Sequence, residues 1–183
     1  MHIDRKPSTV MAVIDRIYHP IAQNLGVSLF MRNEIDKEIQ FQPKFFINLI
    51  QITGNLVANA IKFTSPNGFV DVVFRMNANE DQCTLNMTVS DTGKIISPDL
   101  VSAFNKDEQV AKLIEADMKN YFGSRLEYVM QLISEVGGRI FVQSREDSGT
   151  TFSLALPLKD NYLNRKNGFQ PVVKNGAVYL NGF

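Results

Sequence analysis

The chain has 183 residues, enough for one two-layer domain with a real hydrophobic core and a short appendage. Nineteen Lys and Arg balance nineteen Asp and Glu, so no global field draws it toward nucleic acid or an acidic membrane. The single Cys83 excludes an intrachain disulfide and a cysteine zinc cluster, and no stretch reaches the roughly 18 consecutive apolar residues of a membrane span.

These limits, with an N-terminus that lacks the apolar run of a signal peptide, predict a soluble cytoplasmic chain. It can equally be the cytoplasmic part of a membrane receptor, without direct membrane contact of its own. In chain order, Pro7, Ser8 and Thr9 read as a helix start. Val10, Met11, Ile14, Ile17, Ile21 and Leu25 repeat at helical spacing, Pro20 interrupts them, and Gly26 is the stop. "VSLFMRN" reads as a strand, as does part of "EIDKEIQF". Pro43 suits the first turn of a second helix that runs to about Thr64 and closes at "SPNG". "FVDVVFRMN" and "CTLNMTVSD" are two strands joined by the polar turn "ANED".

From Thr92 to about Asn120 the pattern loosens, with a weak helical signal in "EQVAKLIEADM". Leu126, Val129, Met130, Leu132, Ile133 and Val136 mark a third helix that ends at Gly137-Gly138. "RIFVQSRED" and "TTFSLALPL" form a hairpin-like pair across Ser148-Gly149. The order predicts an α+β two-layer sandwich, with about three helices on one face of a mixed, mostly antiparallel sheet. The domain is expected over residues 1–158. Residues 159–183 form a tail, either a hairpin turning at Asn175-Gly176 or a linker.

Within the second helix, Asn48, Gln51, Asn55, Asn59 and Lys62 fall on one narrow polar stripe, and the rest of the circumference is apolar. A solvated face is one reading. It would favour Glu, Lys and Arg, whereas side-chain amides are poorer helix formers. A ligand-facing slot is the other reading, since amides donate and accept hydrogen bonds and Lys62 can supply a point charge to a phosphate. Downstream, "DTGKIISPD" places Asp91 at a strand end with Gly93 two residues on. One reading is a pocket floor, in which the acid accepts hydrogen bonds and the glycine admits close backbone approach; the other is an ordinary turn, which Asp-Thr-Gly equally describes.

Taken together and in this order, the chain from about Ser8 to Leu158 resembles the ATP-binding catalytic domain of sensor histidine kinases, within the wider superfamily of gyrase-type and chaperone ATPases. "ITGNLVANAIKFT" is similar to the asparagine box of that family, "DTGKIISPD" to its first glycine box, and "GGRIFVQSREDSGTTFSLALPL" to its closing strands. The resemblance implies ATP and Mg²⁺ as ligands. It assigns Asn59 to the metal that bridges the phosphates, and gives Asn55 and Lys62 catalytic roles near the phosphates. Phe63 would lie against the base, Asp91 would accept its amino group, and Gly93 would let the ring in. Thr151 would help satisfy Asp91 or a bridging water, and Gly123 would belong to the phosphate-binding turn.

The sequence departs from the family pattern in three places. Ile95 stands where a second glycine is usual. In "YFGSRLEYV", Tyr121 and Arg125 replace glycines that would let main-chain N–H groups cradle phosphate, so only Gly123 remains. The phenylalanine box is reduced to "VSAFNKDEQ". Neither His2 nor His19 sits in the phosphoacceptor motif of the family. The implied partners are therefore a dimerisation and phosphoacceptor helical domain and a response regulator, with no nucleic acid. Two functions follow: a module that binds Mg-ATP for phosphoryl transfer to a histidine outside this chain, or a pseudokinase that keeps the fold for signalling with weak or no nucleotide binding.

Overall fold

A computed structural model describes residues 4–35, 39–78, 83–106, 124–158, 170–174 and 177–181. The chain opens with helix α1 (Pro7–Asn24) and strand β1 (Ser28–Asn33), then helix α2 (Pro43–Phe63). Strands β2 (Phe69–Ala78) and β3 (Cys83–Asp91) follow, then helices α3 (Pro98–Lys106) and α4 (Ser124–Glu135). Strands β4 (Arg139–Arg145) and β5 (Gly149–Leu158) close the domain, and β6 (Gln170–Lys174) and β7 (Ala177–Asn181) make a separate pair.

The helix ends follow from local chemistry. Proline sits in the first turn of both α1 and α2, where its missing N–H costs nothing. Pro20 does not end α1; it only forgoes one hydrogen bond on an exposed side of the helix. At the end of α1, Gly26 takes φ +69°, its N–H donates to Gln23 O (3.0 Å), and Val27 N–H donates to Ala22 O (2.9 Å). Helix α4 ends in the same way, with Gly137 at φ +68°, its N–H on Ser134 O (2.9 Å) and Gly138 N–H on Ile133 O (2.9 Å). Both are Schellman endings, which satisfy the last helical carbonyls through a left-handed residue.

The sheet order is β1-β2-β3-β5-β4, with β1 parallel to β2 and the other pairs antiparallel. Strict alternation along β3 buries Leu85, Met87, Val89 and Asp91 and leaves Thr84, Asn86, Thr88 and Ser90 half-buried on the opposite face. The inward residues of β2, β3, β5 and β4 join Ile14 of α1, Leu49, Ile52 and Leu56 of α2, and Val129 and Ile133 of α4 in one core. The architecture is therefore the expected α+β sandwich with a mixed, mostly antiparallel sheet.

Helix α3 is an element that the sequence pattern alone did not predict. Its nine residues carry too short a period to stand out, and contacts with the sheet hold it in place. Phe104 meets Phe152 edge-on at 6.3 Å. The Asn105 side chain donates to Val142 O (2.8 Å) and accepts from Val142 N–H (3.0 Å), so one amide pairs with the outer edge of β4 as a further strand would. The "ANED" turn falls largely, and the "EQVAKLIEADM" signal wholly, outside the described residues. In the tail, β6 and β7 pair antiparallel with Lys174 opposite Ala177, around Asn175-Gly176, which also lies outside them.

Candidate nucleotide-binding site

The C-terminal turns of α2, the end of β3, the loop after it and the start of β5 converge on one cleft with an empty volume of about 260 Å³. That figure includes open solvent; the enclosed space is only about 10 Å³, far below the roughly 300–1,000 Å³ of typical small-molecule sites, so the cleft is narrow. Asn59, Ala60 and Phe63 come from α2, Asp91 from β3, Lys94 and Ile96 from the loop, and Thr150 and Phe152 from β5.

Asp91 forms the floor. It is 5% exposed because it is the last inward residue of β3, opposite Val70 on one side and Thr150 on the other. Thr92 fixes the strand end: its N–H donates to Phe69 O (3.1 Å) and its hydroxyl accepts from Phe69 N–H (2.9 Å). Burial pushes the Asp91 carboxyl up to about 6, and hydrogen bonds from the main-chain N–H groups of Gly93 and Thr150 hold it back from going further. The Gly93 bond is 2.8 Å. Asp91 is thus an acceptor aimed at a cavity, and no ion pair among the described residues engages it.

Gly93 has a reason inside the protein. A Cβ there would lie 2.5 Å from Phe63 O and 2.8 Å from Asp91 Oδ1, so only glycine lets the loop pass between the end of α2 and the carboxylate. The next main-chain group confirms the closeness, since Lys94 N–H donates to Phe63 O at 3.2 Å. Ile95, where a second glycine was expected, carries no backbone strain: Asn67 is the one non-glycine residue of positive φ among the described residues. Gly149 takes φ +74°, and a Cβ there would stand 1.9 Å from Asp91 O, so the β4–β5 turn needs glycine on both counts.

The stripe on α2 divides along its length. Asn48 is 7% exposed, and Gln51 accepts a hydrogen bond from the Tyr128 hydroxyl of α4 (2.9 Å), so α4 leans on this part. Asn55, half-buried, donates to Gln51 O (2.8 Å) one turn before the cleft. Asn59 is 6% exposed and its Nδ2 has no hydrogen-bond partner. Its donor is free for a water or a ligand in the cleft, whereas the equally unpartnered Nδ2 groups of Asn48 and Asn86 do not line it. Lys62 is exposed at the rim, its Nζ 4.9 Å from the centroid of the Phe63 ring, while the half-buried ring itself lines the cleft.

Thr151 was expected beside Asp91, but the structure gives that place to Thr150. Thr151 points to the opposite face and donates to Ser90 Oγ at 3.0 Å, whereas Thr150 is 3% exposed and lines the cleft. The parity was readable: Phe152, Leu154, Leu156 and Leu158 are the inward set of β5, and Thr150 shares their phase. Arg125 lies exposed in the first turn of α4. Gly123 and Tyr121 lie outside the described residues.

A family model described as histidine kinase-, DNA gyrase B- and HSP90-like ATPase matches residues 46–160, which takes in most of α2 and every residue named in the cleft. The chain belongs to this ATPase family. Among its relatives, the autoinducer 2 sensor kinase/phosphatase LuxQ of Vibrio parahaemolyticus is 34% identical over 158 residues, covering 82% of this chain and 18% of that protein. The sensor histidine kinase RcsC of Escherichia coli is 29% identical over 169 residues, 90% of this chain and 17% of that protein. This ATPase-family chain therefore spans less than a fifth of the length of these curated relatives. In fold it is similar to the catalytic domain of the histidine kinase ThkA, with TM-score 0.59 and 16% identity over 86% of this chain and 96% of that one. Full-length ShkA in complex with AMPPNP aligns with TM-score 0.63 and 20% identity, over 88% of this chain and 31% of that one.

The donor set of the cleft fits the ligands expected of such a domain. Asp91 can accept an exocyclic amino group. Asn59 can offer one amide oxygen to Mg²⁺, which keeps several waters and takes the rest of its ligands from phosphate. No cluster of three or more His, Cys, Asp or Glu among the described residues offers an alternative metal cage.

Proposed function

We propose that this chain is the ATP-binding module of a two-component sensor kinase, which holds Mg-ATP for phosphoryl transfer to a histidine outside this chain. The observation that carries the reading is the pairing across one cleft of the buried Asp91 carboxyl with the orphaned Asn59 amide. Asp91 selects the base, Phe63 and Ile96 sandwich it, and Asn59 meets the metal or the phosphate it bridges. When bound, Mg²⁺ would supply charge neutralisation at the phosphates. Asn55 and Lys62 stand one turn before and just after Asn59 on α2, toward the phosphate end, where Lys62 adds a point charge. Such transfer depends mostly on positioning and charge stabilisation, which a rigid helix and strand end provide. The AMPPNP held by the ShkA structure supports this reading of the shared fold.

The partners that follow are a helical dimerisation and phosphoacceptor domain and a response regulator, acting in the cytoplasm. The test is phosphotransfer from ATP to a phosphoacceptor domain supplied in trans. Asn59→Ala should abolish both transfer and the Mg²⁺ dependence of ATP binding, and unchanged Mg-ATP affinity in that variant would remove the role given to Asn59.

A second reading, a pseudokinase, draws on Ile95 and on the exposed Arg125 in the first turn of α4. Under it, Ile95→Gly with Arg125→Gly raises ATP affinity from a weak starting value. Strong binding by the natural chain would exclude it.

A further inference from the structure

The loop from Thr92 to Ser97 walls the cleft with Lys94 and Ile96, yet it belongs to no helix or strand. Among the hydrogen bonds that hold its middle are those of Gly93 N–H to Asp91 and Lys94 N–H to Phe63 described above. Two more come from a pair of hydroxyls on the β4–β5 hairpin. Ser144 Oγ accepts from Ile96 N–H at 2.9 Å, and Thr150 Oγ1 donates to Lys94 O at 3.4 Å. The two hydroxyls are 2.8 Å apart.

The fixed link is Ile96 N–H to Ser144, because a main-chain N–H can only donate. Either hydroxyl can donate in the 2.8 Å Ser144–Thr150 bond, and the 3.4 Å approach of Thr150 to Lys94 O is the long contact of the relay. Thr150 has a second task, because its main-chain N–H holds the Asp91 carboxylate. One side chain outside the cleft therefore ties both walls of the loop to the residue that braces the base-reading acid.

We propose that Ser144 is a positioning residue of the nucleotide site, which sets base recognition by locking the Lys94–Ile96 loop and Thr150 against Asp91. The inference rests on the nucleotide reading above. Ser144 makes no contact with the cleft volume, so it acts only through Thr150 and Ile96. Removing its hydroxyl leaves a buried Ile96 N–H without an acceptor, and an unmet buried donor costs more than the bond itself contributed. The loop relaxes to restore that bond, and the base end of the site loses its geometry. The phosphate end on α2 does not change.

The experiment titrates ATP and inorganic tripolyphosphate, each with Mg²⁺, into the natural chain, Ser144→Ala and Ser144→Thr. Ser144→Ala should weaken ATP about tenfold, which is about 1.4 kcal/mol, and leave tripolyphosphate within about twofold. Ser144→Thr, which keeps the hydroxyl, should return ATP to within about threefold. Unchanged ATP affinity in Ser144→Ala overturns the proposal, and so does a parallel loss of both ligands that threonine does not rescue, because that is a purely structural role. Should Ser144→Ala not fold, Thr150→Val breaks the same relay from its other end and must give the same selective loss of ATP. Absence of ATP binding by the natural chain refutes the nucleotide reading itself, and this inference with it. That result is distinct from a difference confined to the variants.

Discussion

Asp91 is an acid kept where an acid is uncomfortable. An ordinary aspartate titrates near 3.8, and burial brings this one to about 6. Between those values the folded chain holds a proton that the unfolded chain has released. The group therefore favours the fold below about pH 4, and that advantage is lost as pH rises through about 6. At neutral pH a penalty of about 3 kcal/mol remains. Asp91→Asn should then raise stability at pH 7 by roughly 1–3 kcal/mol, seen in the urea midpoint, and weaken ATP binding at least about tenfold. A variant that is less stable at pH 7 would show that the carboxylate is held by more than the two N–H groups. In the natural chain, ATP affinity should fall as pH drops through about 6, because a protonated carboxyl is a poorer acceptor for an amino group.

Among the elements, the turns at Gly137 and Gly149 make a matched pair, both near φ +70°. At Gly137 a Cβ would meet nothing within 4 Å, while at Gly149 it would fall 1.9 Å from Asp91 O. Gly137→Ala should cost about 1 kcal/mol, the conformational term alone. Gly149→Ala should cost about 3 kcal/mol or more, since the strand end must also move. Equal effects in chemical denaturation would mean that the β4–β5 turn is free to slide away from Asp91. The same level shows what could be read from residues. The two long helices, the five strands and the polar stripe were legible because each has a clear period and a punctuating Pro or Gly. Helix α3 was not, as its Asn105 clamp on Val142 and its Phe104 contact with Phe152 are between distant residues. Gly93 was found for its proximity to Asp91, but the close approach it permits is that of Phe63 O, which no local pattern reveals.

For the whole molecule, the described strands of the tail, β6 and β7, meet the domain at β2. Val73 points to the face of the sheet away from the helices, yet it is 3% exposed, and β2 is the strand that β6 and β7 meet. Removing residues 159–183 should uncover Val73 and lower stability by about 1–2 kcal/mol, with ATP binding unchanged because the cleft opens on the other face. An equally stable shortened chain would make the hairpin an independent appendage. At this scale the sequence supported the family and the outline of the site, while the division of the α2 stripe between the α4 contact and the cleft required the packed structure. The central claim is that the cleft between α2 and the end of β3 binds Mg-ATP. Calorimetric titration of this chain with ATP, with and without Mg²⁺, tests it most directly. Saturable binding that strengthens with Mg²⁺ is the predicted result, and no heat up to millimolar ATP from a folded chain would contradict it.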